Sequence, residues 1–172
     1  MKLKTEKIVI ISLVSALYAT LTLALSAISF GPIQFRVSEV MTLLPLLGKE
    51  YIIALTIGCL LANIIGPYGI PDIIFGTLAT LISAYLVYLT RKTMKNKQSK
   101  AYILIASFWP TIINAIIIGI MLNKFFGLPL VLSMLQVGFG QFVVITILGV
   151  PLFKFLESKY SSIFNKLTFT EE

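Results

Sequence analysis

The chain has 172 residues, of which 58% are hydrophobic and 12% charged, whereas a soluble domain carries about a quarter charged residues. A soluble fold of this size buries only about 70% of its unfolded surface and must cover the rest largely with polar side chains, so the composition excludes it and selects the bilayer as solvent. The formal net charge of +7 fits basic loops held on the cytoplasmic side rather than a nucleic-acid partner, and the absence of histidine, with Cys59 the single cysteine, excludes disulfide frameworks, zinc sites and histidine-based catalysis.

A helix that crosses the hydrocarbon core needs about 20 apolar residues. The first apolar run begins after Lys2, Lys4 and Lys7 and continues to Ile28. It is too long for a signal-peptide core and reads as a retained span, with no cleavable signal expected. The pattern predicts an all-α integral membrane protein with one transmembrane domain covering 1–172. Its six spans run over about 7–28, 36–47, 50–66, 72–90, 101–122 and 130–155. The second and third are short and are divided by Pro45 and Gly48; an alternative count is five.

Charge placement separates the two counts, because orientation follows the Lys and Arg of short loops. With six spans and both termini cytoplasmic, the inner side receives Lys2, Lys4, Lys7, Lys49, Arg91, Lys92, Lys95, Lys97, Lys100, Lys154, Lys159 and Lys166, and only Arg36 and Lys124 fall outside. A five-span chain places basic clusters on both sides. No nucleotide-binding loop accompanies the spans, so the chain has no energy source of its own.

Two groups of residues stand out. The first span carries Ser12, Ala16, Thr20 and Ala24 at four-residue spacing, with Ser15, Ala19 and Ala27 on an adjoining face. Small residues at this spacing let a second helix approach closely in lipid, either a neighbour in the same chain or a separate membrane protein. The other group is polar and falls towards the outer side. Arg36, Ser38 and Glu39 open the second span, Asn63 closes the third, and Tyr68 and Asp72 lie in or beside the Gly66 to Asp72 loop. Asn114 lies in the outer half of the fifth span, and Gln136 about 9 Å into the sixth at about 1.5 Å per residue.

Ionisable groups inside a membrane are expensive and mark ligand or ion routes. Glu39 is the most informative, with an ion pair to Arg36 at i, i+3 or snorkelling to water as its structural alternatives. Asp72 follows Pro71 and has helix capping as its alternative; for Asn63, Asn114 and Gln136 the alternative is interhelical hydrogen bonding. Aromatic residues near this level include Phe30, Phe35, Tyr68 and Trp109, and for most aromatics at membrane ends the alternative is anchoring at the interface. Trp109, about midway along its span, is either the floor of a pocket for a flat ligand or ordinary core packing.

At Gly31 to Pro45, reading GPIQFRVSEVMTLLP, and at Gly58 to Thr80, reading GCLLANIIGPYGIPDIIFGTLAT, the chain resembles the QueT family of queuosine-precursor permeases. These are substrate-binding S components of energy-coupling factor (ECF) transporters. The resemblance implies a six-helix S-component bundle in a bacterial cell membrane. It also implies partnership with a transmembrane coupling protein and two ATPase subunits that use ATP, with no cofactor or metal in this chain and no catalysis by it. S components commonly dock through an alanine-rich first helix, which matches Ala16 and Ala24; Thr20 departs from strict alanine spacing, so the face is either this one or one rotated to Ala19.

The implied substrate is a deazaguanine precursor of queuosine. A carboxylate such as Glu39 can accept from the ring N–H and exocyclic amine of its guanine-like edge, Asn or Gln can pair with its carbonyl, and Asp72 can meet a cationic aminomethyl substituent. The substrate-binding set is therefore Arg36, Glu39, Asn63, Tyr68, Asp72, Trp109, Asn114 and Gln136. The alternatives are an S component for another vitamin-like molecule, a proton-coupled carrier using Glu39, and a membrane enzyme; the last lacks a nucleophile and base pair.

Overall fold

The computed structural model describes residues 2–94 and 101–169. Lys95, Lys97 and Lys100 of the expected cytoplasmic loop lie outside the described residues. Among the described residues there is no β-strand, and the helices are α1 (Lys2–Ala24), α2 (Val37–Leu46), α3 (Glu50–Ile65), α4 (Asp72–Thr93), α5 (Ala101–Phe126), α6 (Leu130–Lys159) and α7 (Ser161–Leu167). A further single turn, Ser26–Ser29, follows α1. Four of these helices, over Thr5–Ala24, Asp72–Thr93, Ala101–Phe126 and Leu130–Lys159, are long and apolar enough to cross a membrane.

The two short segments differ from the long ones in kind. α2 is a 3-10 helix of ten residues, about 20 Å long at about 2.0 Å per residue. Pro45 lies inside it and has no N–H to donate. Its position makes this geometry tolerable: α2 touches α1, α3, α4, α5 and α6, so its irregular backbone is buried in protein, the setting in which non-helical backbone survives at membrane depth. The first turn of α4 (Asp72–Gly76) and the middle of α6 (Phe142–Gly149) are π-helical.

The main core gathers Leu43 and Leu46 of α2, Tyr51 of α3, Val87 of α4, Ile103 and Ala106 of α5, and Val144 and Phe153 of α6. At one end of the bundle, Lys7 pairs with Glu50 at 2.7 Å. There too Tyr51 donates to the Leu167 carbonyl at 2.9 Å, and the Phe169 amide donates to the Leu47 carbonyl at 2.9 Å. The start of α1, the α2–α3 turn and the C-terminal segment therefore meet. A cavity of about 230 Å³, lined by Arg91 and Glu157 among apolar side chains, opens at this end. The opposite end carries aromatic contacts, Tyr68 edge-on against Phe30 and Phe126, and Phe75 tilted against Phe125.

α1 is the most peripheral long helix. Only 17% of its most apolar stretch is buried, against 39% in each of the other three. Its inward face carries Ser15, Tyr18, Ala19 and Thr22, while Ser12, Ala16, Thr20 and Ala24 are exposed. The inward face meets Gly58 of α3, where an added Cβ would stand 2.8 Å from the Ser15 carbonyl oxygen and 2.9 Å from Tyr18 Cβ. Gly58→Ala is therefore expected to push α1 away from α3 and lower stability by about 1–3 kcal/mol, the usual cost of overpacking. Thermal unfolding in detergent measures this, and an unchanged midpoint would mean that the two helices separate freely.

Candidate functional site

The connection from α1 to α2 is short and strongly hydrogen-bonded. The Gln34 amide donates to the Gly31 carbonyl at 2.9 Å, closing a four-residue turn with Pro32 at its second position. The Phe35 amide then donates to Ile28 at 3.0 Å, and the Arg36 amide to Gln34 at 2.8 Å. Arg36 is the residue preceding the first turn of α2 and has extended backbone (φ −85°, ψ 101°). Its side chain consequently leaves the α2 face instead of lying over Glu39.

The guanidinium crosses to α3 and α4. Arg36 Nη2 donates to Asp72 Oδ2 at 2.8 Å, Nη1 to Asn63 Oδ1 at 3.2 Å and Nε to the Ser29 carbonyl at 3.3 Å, with the Phe30 ring 4.9 Å from its central carbon. Asn63 completes the triangle by donating through Nδ2 to the Asp72 carbonyl at 2.9 Å. Gly76 makes room for the arrangement, since a Cβ there would lie against Asp72 Oδ1 and 2.6 Å from Asn63 Nδ2. Cys59, one turn before Asn63, accepts from Thr80 at 3.1 Å, so the thiol is a packing and hydrogen-bonding group within α3 and α4.

Glu39 lies in the first turn of α2 and is reached from α1. Tyr18 donates its phenol hydrogen to Glu39 Oε1 at 2.6 Å, and next to this pair Thr22 and Ser38 share a hydrogen bond of 2.6 Å. The expected alternatives for Glu39, an ion pair with Arg36 or snorkelling to water, are both replaced: the arginine is committed to Asp72, and Glu39 is 1% exposed. Asp72 is likewise drawn into the ion pair, and no side chain caps the start of its helix.

Arg36 therefore offsets one of the two buried carboxyls at this site, Asp72, and leaves Glu39 without an ion pair. Glu39 Oε2 and Asp72 Oδ1 are both buried without a protein partner. Unpaired acceptors of this kind are costly in a low-dielectric interior, and a ligand bearing N–H donors removes the cost. Among the described residues no group of three His, Cys, Asp or Glu side chains is placed to hold a metal ion.

The remaining expected residues are distributed more widely. Tyr68 donates to the Phe30 carbonyl at 2.8 Å and seals the aromatic end beside the network. Asn114 is buried, but its amide donates to the Pro110 carbonyl of its own helix at 3.0 Å. Gln136 is half-buried on α6. Trp109 packs on the main core and donates its indole N–H to Thr90 Oγ1 at 2.9 Å. Thr90 lies in the last turn of α4, adjoining Arg91 at the cavity end, so this indole sits away from the charged network. On the first helix the structure leaves Ala16, Thr20 and Ala24 outward and turns Ala19 inward.

Sequence reasoning missed Tyr18, Gln34 and Gln141. All three are at most 2% exposed. Tyr18 shares the inward face of α1 with Ser15 and Thr22, a polar seam that was legible at helical spacing. Gln34 sits within the GPIQFR stretch, and Gln141 directly precedes the π-helical part of α6.

No solved structure matches the chain. The Queuosine precursor transporter QueT of Lactococcus lactis subsp. cremoris (strain MG1363) is 51% identical over 83 residues, a match that covers 47% of this chain and 48% of the relative. The match thus spans about half the length of that relative. The sequence profile of the QueT transporter family matches residues 8–158. With that match covering most of its length, the chain belongs to the QueT transporter family.

Proposed function

We propose that this chain is the substrate-binding S component of an ATP-driven ECF transporter. In this role it captures a deazaguanine precursor of queuosine outside the cell and releases it inside. The chain crosses a bacterial cell membrane six times, with α2 and α3 as the short spans. The end bearing Lys7, Lys49, Arg91 and Lys92 faces the cytoplasm with both termini, as retention of positive charge requires. A transmembrane coupling protein and two ATPase subunits supply the energy, and no cofactor is held by this chain.

The observation that carries the substrate assignment is the uncompensated buried carboxyl. Tyr18 occupies Glu39 Oε1 and leaves Oε2 free, an acceptor suited to the exocyclic amine of a guanine-like edge. Asp72 Oδ1 is the corresponding acceptor for a cationic substituent. Arg36 and Asn63 hold Asp72, and Tyr68 closes the end above them. Because Arg36, Glu39, Asn63 and Asp72 are all buried, a substrate gains access when the 30–36 connection moves, and its binding favours the closed form. Asn114 and Trp109 of α5 and Gln136 of α6 complete the proposed substrate-binding set.

Glu39→Gln tests the reading, since it replaces a charged acceptor while keeping size. Precursor affinity is expected to fall by about 2–4 kcal/mol, the scale for a broken buried charged hydrogen bond, with expression and folding retained. Unchanged affinity for every deazaguanine tested would return Glu39 to a structural role. Mass spectrometry of the small molecule that co-purifies with the chain identifies the substrate directly: another vitamin-like compound would displace the deazaguanine, and uptake without any ATPase partner would favour a proton-coupled carrier.

A further inference from the structure

Two buried carboxamides stand outside the charged network, and each has one unsatisfied end. Gln34 and Gln141 are both 2% exposed; Gln34 Nε2, a donor, and Gln141 Oε1, an acceptor, have no protein partner. Their segments are in direct contact. Gly140 has no space for a Cβ because the Ile33 carbonyl occupies that position, with Ile33 Cγ2 at 3.1 Å from it. The chain on either side of this contact presents Gln34 from the α1–α2 connection and Gln141 from α6.

Gln34 departs from regular backbone, and Gln141 borders a stretch that does. Gln34 has φ 51°, a left-handed conformation uncommon outside glycine and held only when the surroundings demand it. The surroundings here are the hydrogen bonds of the 31–36 turn, which deliver Gln34 and Arg36 from the same short segment. Gln141 is the last residue before the widened π-helical stretch Phe142–Gly149, and such widened turns recur at functional sites.

A free donor and a free acceptor on adjoining segments match a ligand edge with one carbonyl and one N–H, the pattern of a lactam in a planar heterocycle. We propose that Gln34 and Gln141 are specificity-determining residues that read this lactam edge, Gln34 Nε2 donating to the ring carbonyl and Gln141 Oε1 accepting from the ring N–H. The assignment rests on the transporter reading above and divides the substrate between two parts of the site: Glu39 serves the exocyclic amine, and the carboxamide pair serves the neutral lactam. A protein site built to hydrogen-bond a group discriminates strongly against an analogue that lacks it, because its own polar atoms are then left unpaired.

The experiment compares deazaguanine with its analogue lacking the ring carbonyl, by titration of the purified full chain. The unsubstituted protein is expected to prefer the lactam by about tenfold or more. Gln34→Asn tolerates positive φ but is too short to reach, and Gln141→Met keeps the length while removing the acceptor. Each is expected to lose most of the preference and to hold the carbonyl-free analogue as well as the unsubstituted chain does, which a variant damaged in folding would not do. Full preference in both variants overturns the assignment and leaves the transporter reading standing. Failure of the unsubstituted protein to bind either compound overturns both.

Discussion

Arg36→Met is expected to destabilise the protein by about 3–5 kcal/mol, the scale seen when one partner of a buried ion pair is removed. Methionine replaces much of the aliphatic stem, so the loss reports on the guanidinium, whose central carbon lies over the Phe30 ring. Without it, Asp72 Oδ2 and Asn63 Oδ1 lose their donors in a region where Asp72 and Asn63 are both 0% exposed. Asp72→Leu alone is expected to be damaging for the converse reason, leaving a buried cation unpaired. The Arg36→Met, Asp72→Leu double variant removes both charges and is expected to cost much less than the sum of the singles, because contacting residues are not additive. Denaturant titration in detergent gives all three values. A loss below about 1 kcal/mol for Arg36→Met, the range of an exposed pair, would show that water reaches this network.

That pairing also marks the limit of what the sequence could reveal. Hydropathy located the long apolar helices, since a run of some 20 apolar residues has few other solutions. The conformation of α2 was hidden, because a 3-10 helix and an α-helix share composition and differ in hydrogen-bond register. In the same way the π stretches at Asp72–Gly76 and Phe142–Gly149 left no compositional trace. Arg36 and Glu39 are three residues apart and looked like partners, but Arg36 has extended backbone and its carboxylate lies 36 residues further along the chain. Local spacing carries no information about such a pair. The polar character of Arg36, Asn63 and Asp72 was visible in the sequence; that they form one hydrogen-bonded triangle, and that Trp109 and Asn114 do not join it, depends on how α3, α4 and α5 are rotated.

The small residues of α1 illustrate the same point. Ala16 and Ala19 are chemically identical and belong to two overlapping stripes, and only the position of Gly58 tells them apart. Ser15 and Tyr18 are pressed against Gly58 of α3 with Ala19 buried beside them, and Ser12, Ala16, Thr20 and Ala24 are left exposed among the described residues.

On the S-component reading, Ala16→Trp is expected to abolish uptake while leaving the isolated chain nearly untouched. The ring is added to an exposed position, so stability should stay within about 0.5 kcal/mol, the usual range for surface changes. Precursor affinity should also be unaltered, because Tyr18, which supports Glu39, projects from the opposite side of α1. A partner helix that must approach closely in lipid is blocked, since such packing depends on small side chains. Co-purification with the coupling protein and ATPases should therefore be lost. Ala19→Trp provides the contrast: its ring enters the α1–α3 contact, where overpacking costs about 1–3 kcal/mol or more, and stability and affinity should fall together. An intact four-subunit complex containing Ala16→Trp would exclude docking through the outward stripe, and destabilisation by Ala16→Trp equal to that of Ala19→Trp would place both alanines inside the bundle.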